Sequence, residues 1–389
     1  MANFAIMGFG TVGGGVAEVL RMNADAIAGK LGEPLRLKYI LDVRDLSATP
    51  YGDIAVQDFS ILENDPDLDV VVESIGGVRA ALEFTRRALL AGKHVVTSNK
   101  ELVASYGREL LAIAKEKNVN YLFEASVGGG IPVLRPLFQC LAGNQIEEIT
   151  GILNGTTNYI LTRMVQGGVP FDGALSEAQA KGYAEADPSA DIEGLDAGRK
   201  ICILSDLAWG KEVRPEAIQI QGIKGLDLKD VDIASKAGYR IKLLGRALRL
   251  ADGRVAAYVA PHLVPLACPI APVDDVFNAV MIRGNAVGDV MFYGRGAGDL
   301  PTASAVMADI LDALAHRQKR RSLGWSEPAD LADLERDLPI RWYMRGVFPA
   351  PADSQPLSGA AVITSPMPAA EARTMACQLD AKAVLPVLG

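Results

Sequence analysis

The sequence predicts an α/β protein with a doubly wound parallel sheet in its first part and an α+β domain with an open sheet in its second. Short apolar runs alternate with helix-length segments up to about residue 125, which is typical of parallel βαβ units. The turn Gly8-x-Gly10-x-x-Gly13 joins the first apolar run to the first helical segment. After Glu147 the pattern changes to helices followed by long alternating strands, which favours an antiparallel sheet with helices on one face.

Composition excludes several classes of protein. The chain has 389 residues, of which 49% are apolar and 22% charged, as expected for a globular protein of two or three domains. A net charge of −8 argues against a nucleic-acid partner. The four cysteines lack the spacing of a zinc site or a disulfide framework, which favours the cytoplasm. No apolar run has the roughly eighteen residues that cross a bilayer, so no membrane partner is expected.

The first βα unit has the order of a dinucleotide-binding fingerprint. Residues 2–7 are predicted to form a buried strand, 8–13 the turn, and 16–22 the apolar face of a helix. In this arrangement the first glycine makes the turn, the second lets the pyrophosphate approach, and the third packs the helix on the strand. The helix N-terminus then attracts the phosphates. The sequence therefore predicts a Rossmann-like domain over residues 1–130, with cofactor contacts from Gly8, Phe9, Gly10, Thr11, Val12 and Gly13.

The end of the second predicted strand, 35–41, carries two conflicting signals for the cofactor. Asp42 stands where an acidic residue binds the ribose 2′-hydroxyl of NAD, whereas Arg44 could pair with the 2′-phosphate of NADP. Arg44 could equally be a solvated loop charge, and the residues alone leave these interpretations open.

Further βα units complete the predicted parallel sheet, with strands at 69–73, 94–97 and 121–125 and helices at 79–90 and 101–117. Ligands of such sheets bind beyond the carboxyl ends of the strands. Residues predicted there as cofactor contacts are Ser74, Thr97, Ser98 and Lys100. Lys100 could be a surface lysine at the start of a helix, but a cation there opposes the helix dipole and so needs a compensating reason.

The segment 182–200 gathers acidic residues around a proline turn. A helix is predicted to start near Asp191 and to run towards Trp209, which places Asp196 and Lys200 one turn apart on one face. Glu185, Asp187 and Asp191 are expected to converge on the same turn. A lysine held by a carboxylate can present a proton, although a surface ion pair has the same spacing.

This segment resembles the signature of homoserine dehydrogenases at every fixed position, from Ala178 through Gly182, Asp187-Pro188, Asp191 and Asp196 to Lys200. The similarity extends through Thr97-Ser98-Asn99-Lys100, the segment 124–132, the segment 151–158 and the segment 294–302. It covers roughly residues 1 to 320.

The resemblance implies a reversible reduction of L-aspartate 4-semialdehyde to L-homoserine by NAD(P)H, with NADP favoured and NAD also accepted. Lys200 is then the proton donor, Asp196 positions it, and Lys100 is a second polarising group or an alternative donor. Glu185, Asp191 and Asp196 are expected to hold the substrate, since an amino acid's ammonium group needs anionic partners, and Glu185, Asp196 and Lys200 coincide with substrate residues of the family. Gly182 and Thr156 are the further expected substrate contacts. Gly182, Gly296 and Gly298 are expected cofactor contacts. Gly296 and Gly298 leave backbone room beside the nicotinamide, although a glycine cluster could also be a plain turn.

The resemblance also implies a monovalent cation, usually Na⁺, wrapped by the segment 124–132. Carbonyl oxygens of Glu124, Val127, Gly129 and Ile131 match its ligands, although three consecutive glycines could also form a hinge between domains. Residues 131–299 are expected to form a substrate-binding domain that also makes a homodimer. A helix at about 300–320 is expected to return to the nucleotide domain.

The tail, residues 323–389, resembles a shortened ACT domain, the regulatory domain of many family members. Residues 341–345 match its first strand, and 360–364 with 369–379 match a later strand and helix, whereas 346–359 are too few for the intervening helix and strand. We therefore expect activity that ignores threonine and survives a cut near Leu323.

Two alternatives remain at this stage. Another NAD(P)-dependent amino-acid dehydrogenase would share the first domain, but it has no reason to contain the segment 182–200. A non-catalytic nucleotide-binding sensor could lose Lys100 or Lys200, yet both are present.

Overall fold

The computed structural model describes residues 1–346, 350–351, 353–358 and 360–389, and within them the chain forms two compact units. The first unit contains Met1–Ala142, Asp206–Glu212 and Arg295–Glu327, and the second contains Gly143–Ser205, Val213–Gly294 and Pro328–Gly389. One unit has a parallel sheet and the other a separate mixed sheet, which confirms the predicted fold class. The predicted domain boundaries stay predictions.

Helices occur in both units of the described residues. In chain order they are α1 (Thr11–Leu31), α2 (Ser60–Asn64), α3 (Arg79–Leu90), α4 (Lys100–Lys117), α5 (Gly155–Gly167), α6 (Phe171–Ala180), α7 (Ser189–Ile192), α8 (Leu195–Trp209), α9 (Leu228–Lys236), α10 (Asp299–Ala315) and α11 (Ala369–Gln378).

The strands of the described residues are named in the same way. They are β1 (Ala2–Met7), β2 (Leu35–Leu41), β3 (Ala55–Val56), β4 (Val70–Glu73), β5 (His94–Thr97), β6 (Tyr121–Leu122), β7 (Ile146–Ile152), β8 (Lys211–Glu212), β9 (Gln219–Ile220), β10 (Tyr239–Arg249), β11 (Val255–Pro265), β12 (Phe277–Gly284), β13 (Gly288–Arg295), β14 (Glu327–Pro328), β15 (Arg341–Arg345), β16 (Gln355–Leu357), β17 (Ala361–Ile363) and β18 (Ala383–Val387).

The first unit is built on a parallel sheet with the strand order β3-β2-β1-β4-β5-β6. The chain order reverses at β1, so the carboxyl ends of β1 and β4 flank the switch point where such sheets bind ligands. All six residues of β1 are buried, because the strand lies between layers of helices. Its core includes Val16 of α1 and Val306 and Ile310 of α10.

The second unit is built on a mixed sheet with the order β13-β12-β7-β10-β11-β18-β15-β17-β16, and β9 also pairs with β11. Antiparallel pairing of β10 with β11 runs without a break from Tyr239 opposite Pro265 to Arg249 opposite Val255. The sequence did not predict β13 or β18. The predicted strand 121–125 is also shorter in the structure, because a 3₁₀ turn, Glu124–Ser126, follows Leu122.

The helix predicted from Asp191 to Trp209 is two helices. Gly194 lies between α7 and α8 with φ of +85°, a left-handed conformation that costs glycine little. Asp191 therefore belongs to α7, and Asp196 and Lys200 belong to α8.

The tail forms part of the sheet of the second unit. Val387 of β18 is the parallel partner of Leu263 in β11, and β18 also pairs with β15. The short strand β16 lies within 346–359, and the expectation that this stretch is too short for both a helix and a strand stays a prediction. Val347, Phe348, Pro349, Ala352 and Gly359 lie outside the described residues. The likeness of the tail to an ACT domain stays a prediction.

Candidate active site

The glycine turn of the first unit has the geometry that a bound dinucleotide requires. A Cβ added to Gly8 would lie 2.8 Å from the carbonyl oxygen of Ser74, and one on Gly13 would lie 2.3 Å from that of Gly8. Gly10 has open space where its Cβ would be, and α1 starts after it without a side-chain cap. Two glycines thus permit close packing, while the third leaves room beside the N–H groups of a helix N-terminus.

Asp42 and Arg44 contact each other at the end of β2. The Arg44 guanidinium donates to both carboxylate oxygens of Asp42, from Nε at 2.9 Å and from Nη2 at 2.8 Å. The backbone N–H of Phe9 donates to the same carboxylate at 2.7 Å. These hydrogen bonds, led by those of Arg44, hold the pKa of Asp42 well below its usual range.

The other predicted cofactor residues of this unit follow β4 and β5. The Ser74 hydroxyl donates to the carbonyl oxygen of Gly8 at 2.8 Å, which fixes the strand end against the glycine turn. Thr97 ends β5, Ser98 follows it, and Lys100 is the first residue of α4. Asn99 caps that helix by accepting from the N–H of Leu102 at 3.1 Å.

The segment 124–132 is folded back on itself within the first unit. The carboxylate of Glu124 accepts hydrogen bonds from the backbone N–H groups of Val133, Leu134 and Arg135 at 2.6 to 2.8 Å. Gly128 and Gly129 have positive φ values of 74° and 54°. A Cβ on Gly129 would lie 2.5 Å from the carbonyl oxygen of Gly296, so the close approach of these two segments requires that Gly129 lack a side chain.

A buried lysine is the centre of the site in the second unit. The Lys200 Nζ atom lies 2.8 Å from Oδ2 of Asp196 and 2.7 Å from the carbonyl oxygen of Leu153. The lysine is 8% exposed and the aspartate 3% exposed, so solvent does little to screen their attraction. The interpretation as a solvated surface ion pair is therefore wrong.

Asn154 joins this pair to a second carboxylate. Its Nδ2 atom donates to Oδ1 of Asp191 at 2.7 Å and to Oδ2 of Asp196 at 2.8 Å. Its Oδ1 atom accepts from the N–H of Thr157 at 2.8 Å, which caps α5 and fixes the orientation of the amide. Burial, together with the negative charge of Asp196, raises the pKa of Asp191.

The remaining predicted substrate residues lie at different depths of the second unit. The Thr156 hydroxyl donates to the carbonyl oxygen of Tyr183 at 2.6 Å, directly after Gly182, whose φ is +72°. The side chains of Glu185 and Asp187 are exposed, unlike that of Asp191. The predicted convergence of three acids on one turn is wrong, because Asp187 instead accepts a hydrogen bond from Ser189.

Comparison with known proteins identifies the family. The family model described as homoserine dehydrogenase matches residues 132–311, and that of the homoserine dehydrogenase NAD binding domain matches residues 8–124. A homoserine dehydrogenase from Neisseria gonorrhoeae is 47% identical over 80% of this chain and 72% of its own length. The chain belongs to the homoserine dehydrogenase family.

Solved structures of homoserine dehydrogenases share the fold. A crystal structure from Thiobacillus denitrificans has a TM-score of 0.89 and 36% identity, covering 100% of this chain and 98% of that one. A hyperthermophilic archaeal homoserine dehydrogenase in complex with NADPH has a TM-score of 0.70 and 30% identity, covering 82% and 99% of the two chains.

Homoserine dehydrogenase activity follows from the family. The protein is an oxidoreductase with a nicotinamide nucleotide cofactor, and it interconverts L-aspartate 4-semialdehyde and L-homoserine in amino-acid biosynthesis. Its substrate is a small molecule. In the part of the chain that the structure describes, none of the helices is long and apolar enough to span a bilayer.

The sequence assigns no role to one functional candidate of this chain, Asn154, although the residue lies in the segment 151–158 that resembles the family. Its position immediately before Gly155-Thr156, at the start of a helix, is the sequence signal of an N-cap. That signal does not reveal the bridge to Asp191 and Asp196, because the asparagine is far from both of them in sequence.

Proposed function

We propose that Lys200 is the proton donor in the reduction of L-aspartate 4-semialdehyde and the proton acceptor in the reverse reaction. The observation that carries this proposal is the burial of the ammonium group between the Asp196 carboxylate and the Leu153 carbonyl oxygen. Two acceptors fix its position, which is the requirement for a general acid in a preorganised site. Asp196 is the positioning residue of this pair.

The reaction balances with one hydride and one proton. The reduced nicotinamide supplies a hydride to the aldehyde carbon, whose C=O π bond opens to an alkoxide. Lys200 transfers its proton to that oxygen and becomes neutral. Its positive charge stabilises the developing alkoxide before the transfer. Lys100 is the second polarising group, or the alternative donor.

The proposed substrate contacts provide negative charge for an amino acid's ammonium group. Asp191 and Asp196 are held close together by Asn154, so the cluster carries two carboxylates beside one lysine. Glu185 is the exposed carboxylate of the set, and Gly182 and Thr156 contribute the neighbouring backbone and hydroxyl. A cationic group would relieve the repulsion between the carboxylates.

The proposed cofactor is NADP, with NAD also accepted. The residues present fit the group, since Gly10 leaves open space at the start of α1. The proposed contacts of the first unit are Gly8, Phe9, Gly10, Thr11, Val12, Gly13, Arg44, Ser74, Thr97, Ser98, Lys100, Gly296 and Gly298, and Gly182 is the proposed contact of the second unit. The archaeal family member that binds NADPH supports this choice.

The proposed Na⁺ ligands are the carbonyl oxygens of Glu124, Val127, Gly129 and Ile131. The last three accept no backbone hydrogen bond within the described residues, although all three residues are buried. Buried carbonyl groups need a partner, so these oxygens fit a hard monovalent cation. The Glu124 carboxylate is already engaged by backbone N–H groups, so only its carbonyl is proposed as a ligand.

The proposed assembly is a homodimer made by the substrate-binding domain, residues 131–299, in the cytoplasm. The edge strand β13 supports it, because Met291 and Tyr293 on that strand are exposed apolar side chains. Residues 1–130 with the helix at 300–320 form the proposed nucleotide domain, and 323–389 the proposed ACT-like region.

Replacing Lys200 with methionine tests the proton donor. Methionine keeps the length and removes the ammonium, so kcat for homoserine oxidation should fall at least about a hundredfold. Removing one partner leaves the Asp196 charge buried, which is destabilising, so the double variant K200M/D196N is measured as well. Lys181→Met serves as a control, because that lysine is exposed on the same unit.

The measurements are steady-state kinetics and binding of NADP⁺ by calorimetry. Both Lys200 variants should bind NADP⁺ like the wild type while losing turnover. Turnover of the wild-type order in a folded K200M variant would remove Lys200 from the mechanism and leave Lys100 as the donor.

A further inference from the structure

Glu73, the last residue of β4, is a buried carboxyl group that the proposed mechanism does not use. Its relative exposure is 0%. No lysine or arginine among the described residues forms an ion pair with it; neutral donors hold it instead. Burying a carboxylate without a cation is costly, so this position requires a reason beyond packing.

The two oxygens of Glu73 reach two different loops of the first unit. Oε1 accepts from the backbone N–H of Ile75 at 2.8 Å, and Oε2 accepts from the Thr97 hydroxyl at 2.5 Å. The Thr97 oxygen itself accepts from the N–H of Asn99 at 2.9 Å, so its proton is available for Glu73. Nδ2 of Asn99 then donates to the carbonyl oxygen of Gly77 at 2.7 Å.

These hydrogen bonds connect the segments 74–77 and 97–99, which leave adjacent strands at the same edge of the sheet. Glu73 is the register partner of Met7 on one side and of Thr97 on the other. Ser74, the next residue, donates to the carbonyl oxygen of Gly8. A single side chain thus links the ends of β4 and β5 and stands directly before the residue that fixes the glycine turn.

We propose that Glu73 is a positioning residue for the nicotinamide nucleotide: its carboxylate sets the two loops, 74–77 and 97–99, between which the cofactor's reactive end must fit. The inference rests on the proposed nucleotide site and adds a residue to it. Glu73 contacts no ligand in this arrangement. It acts through Ile75 and Thr97, because both strand ends move if either hydrogen bond is lost.

Glutamine is the substitution that separates this role from packing. It has the same size, but its amide offers one acceptor and one donor where the site presents two donors. Either the Ile75 N–H or the proton of the Thr97 hydroxyl then faces an NH₂ group and loses its acceptor. Burial raises the pKa of Glu73 to about 7, so binding is measured at pH 8, where the carboxylate is ionised.

The experiment compares three variants of the full chain with a matched control. Glu73→Gln, Thr97→Val and the double variant are titrated with NADP⁺ by calorimetry, and urea unfolding gives their stability. Asn120→Ala is the control. Asn120 is 2% exposed in the same unit, near the opposite end of β5 from Thr97. Its side chain donates to the carbonyl oxygen of His316 at 3.1 Å and accepts from the N–H of Arg321 at 2.7 Å.

Each single variant should raise the dissociation constant for NADP⁺ about tenfold, the effect of losing one hydrogen bond to a charged group. The double variant should raise the dissociation constant no more than the worse single variant does, since both substitutions remove the same contact. The KM for homoserine should change less than the KM for the nucleotide. Asn120→Ala should lose stability and keep the wild-type dissociation constant.

An unchanged dissociation constant in Glu73→Gln, with stability lowered as in Asn120→Ala, would overturn the proposal and leave Glu73 with a structural role. An equal rise in Asn120→Ala would also overturn it. Thr97 is itself a proposed cofactor contact, so its variants alone do not decide. If Glu73→Gln does not fold, Glu73→Asp is measured: its shorter side chain draws the carboxylate back from both loops, so the dissociation constant should rise, and an unchanged value would overturn the proposal. A wild-type chain that binds neither NADP⁺ nor NAD⁺ would refute the proposed function itself, which is a distinct result.

Discussion

At the scale of single residues, Asp42 and Arg44 give conflicting signals for the cofactor in the sequence, and in the structure they form an ion pair. The guanidinium binds both oxygens of the carboxylate that would otherwise accept a ribose 2′-hydroxyl. An arginine in this position favours a 2′-phosphate in two ways, since it offers donors to the phosphate and it engages the acid that prefers NAD.

Replacing Arg44 with alanine should therefore raise the KM for NADP⁺ relative to the KM for NAD⁺. The KM for NADP⁺ should rise about tenfold or more, because a charge-assisted, bidentate partner for the 2′-phosphate is lost. The KM for NAD⁺ should stay the same or fall, because Asp42 is released. Steady-state kinetics with both cofactors measure the ratio.

Arg21→Ala is the matched control for that variant, since Arg21 is an exposed arginine of α1 in the same unit, paired with Glu18. It removes the same charge away from β2. Equal changes for NADP⁺ and NAD⁺ in Arg44→Ala would show that Arg44 does not read the phosphate.

At the scale of elements, the second unit's site depends on the junction of β7, α5, α7 and α8. β7 ends at Ile152, and the next two residues supply the Leu153 carbonyl and the Asn154 side chain. The break at Gly194 sets α7 apart from α8, yet Asn154 reaches a carboxylate on each of them. Asn154 thus caps α5 and links α7 to α8 through its hydrogen bonds.

Asn154→Ala should lower kcat/KM for homoserine at least about tenfold, because the carboxylates of Asp191 and Asp196 lose their shared donor. The hydrogen bond from Asn154 opposes the upward shift of the Asp191 pKa that burial and Asp196 produce. Its loss raises that pKa further, so the acid limb of the kcat/KM profile should move to higher pH.

Asp227→Ala is the control for the lost cap, because Asp227 caps α9 of the same unit by accepting from Lys229. Both variants should lose roughly 1 kcal/mol of stability, while only Asn154→Ala should shift the pH profile. A matching shift in Asp227→Ala would assign the effect to general loosening of the unit.

The elements also show how far sequence reasoning extends. Apolar runs and helix signals located β2, α3 and β5 at their observed limits, because buried parallel strands and amphipathic helices dominate their local pattern. The break at Gly194 was missed because the apolar spacing continues through it. β13 was missed because its sequence contains glycines and its side chains are mostly exposed.

Among the site residues, too, the sequence located only those whose contacts are local along the chain. The family motif located Asp196 and Lys200, whose contact is local along α8. The contacts of Asn154 and of Glu73 join segments that are distant in sequence, so no spacing indicates them. Only the pairing of strands and the packing of helices brings these groups together.

At the scale of the whole molecule, the tail is an integral part of the second unit. Asp230 of α9 is 2% exposed, and its carboxylate accepts from the Tyr343 hydroxyl at 2.8 Å and from Arg345 Nε at 2.6 Å. The expected survival of activity after a cut near Leu323 does not agree with this arrangement. The cut would leave Asp230 buried without its partners and expose an edge of β11.

We therefore expect the chain cut after residue 322 to be unstable or to aggregate, with loss of activity that follows loss of folded protein. In the full chain, Arg345→Ala should lower the free energy of unfolding by about 3 kcal/mol, since it breaks a buried ion pair. Urea unfolding measures the change. Indifference of the full chain to millimolar threonine stays a prediction for the same enzyme assay.

Arg373→Ala is the control for Arg345→Ala, because Arg373 is a largely exposed partner of Glu335 in the same tail. Its loss should change stability by less than about 1 kcal/mol. A cut chain that folds and turns over like the full chain would make the tail a separable module after all.

Because β18 lies between β11 and β15, the sheet of the second unit cannot be completed before β18 has been synthesised. β11 leaves the ribosome long before β18, so its edge stays incomplete until the chain has been made as far as Val387. A sheet that needs so distant a strand folds slowly, and its open edge can pair with other nascent chains meanwhile. Expression yield should thus depend on translation speed and chaperone supply more than the stability of the finished enzyme suggests.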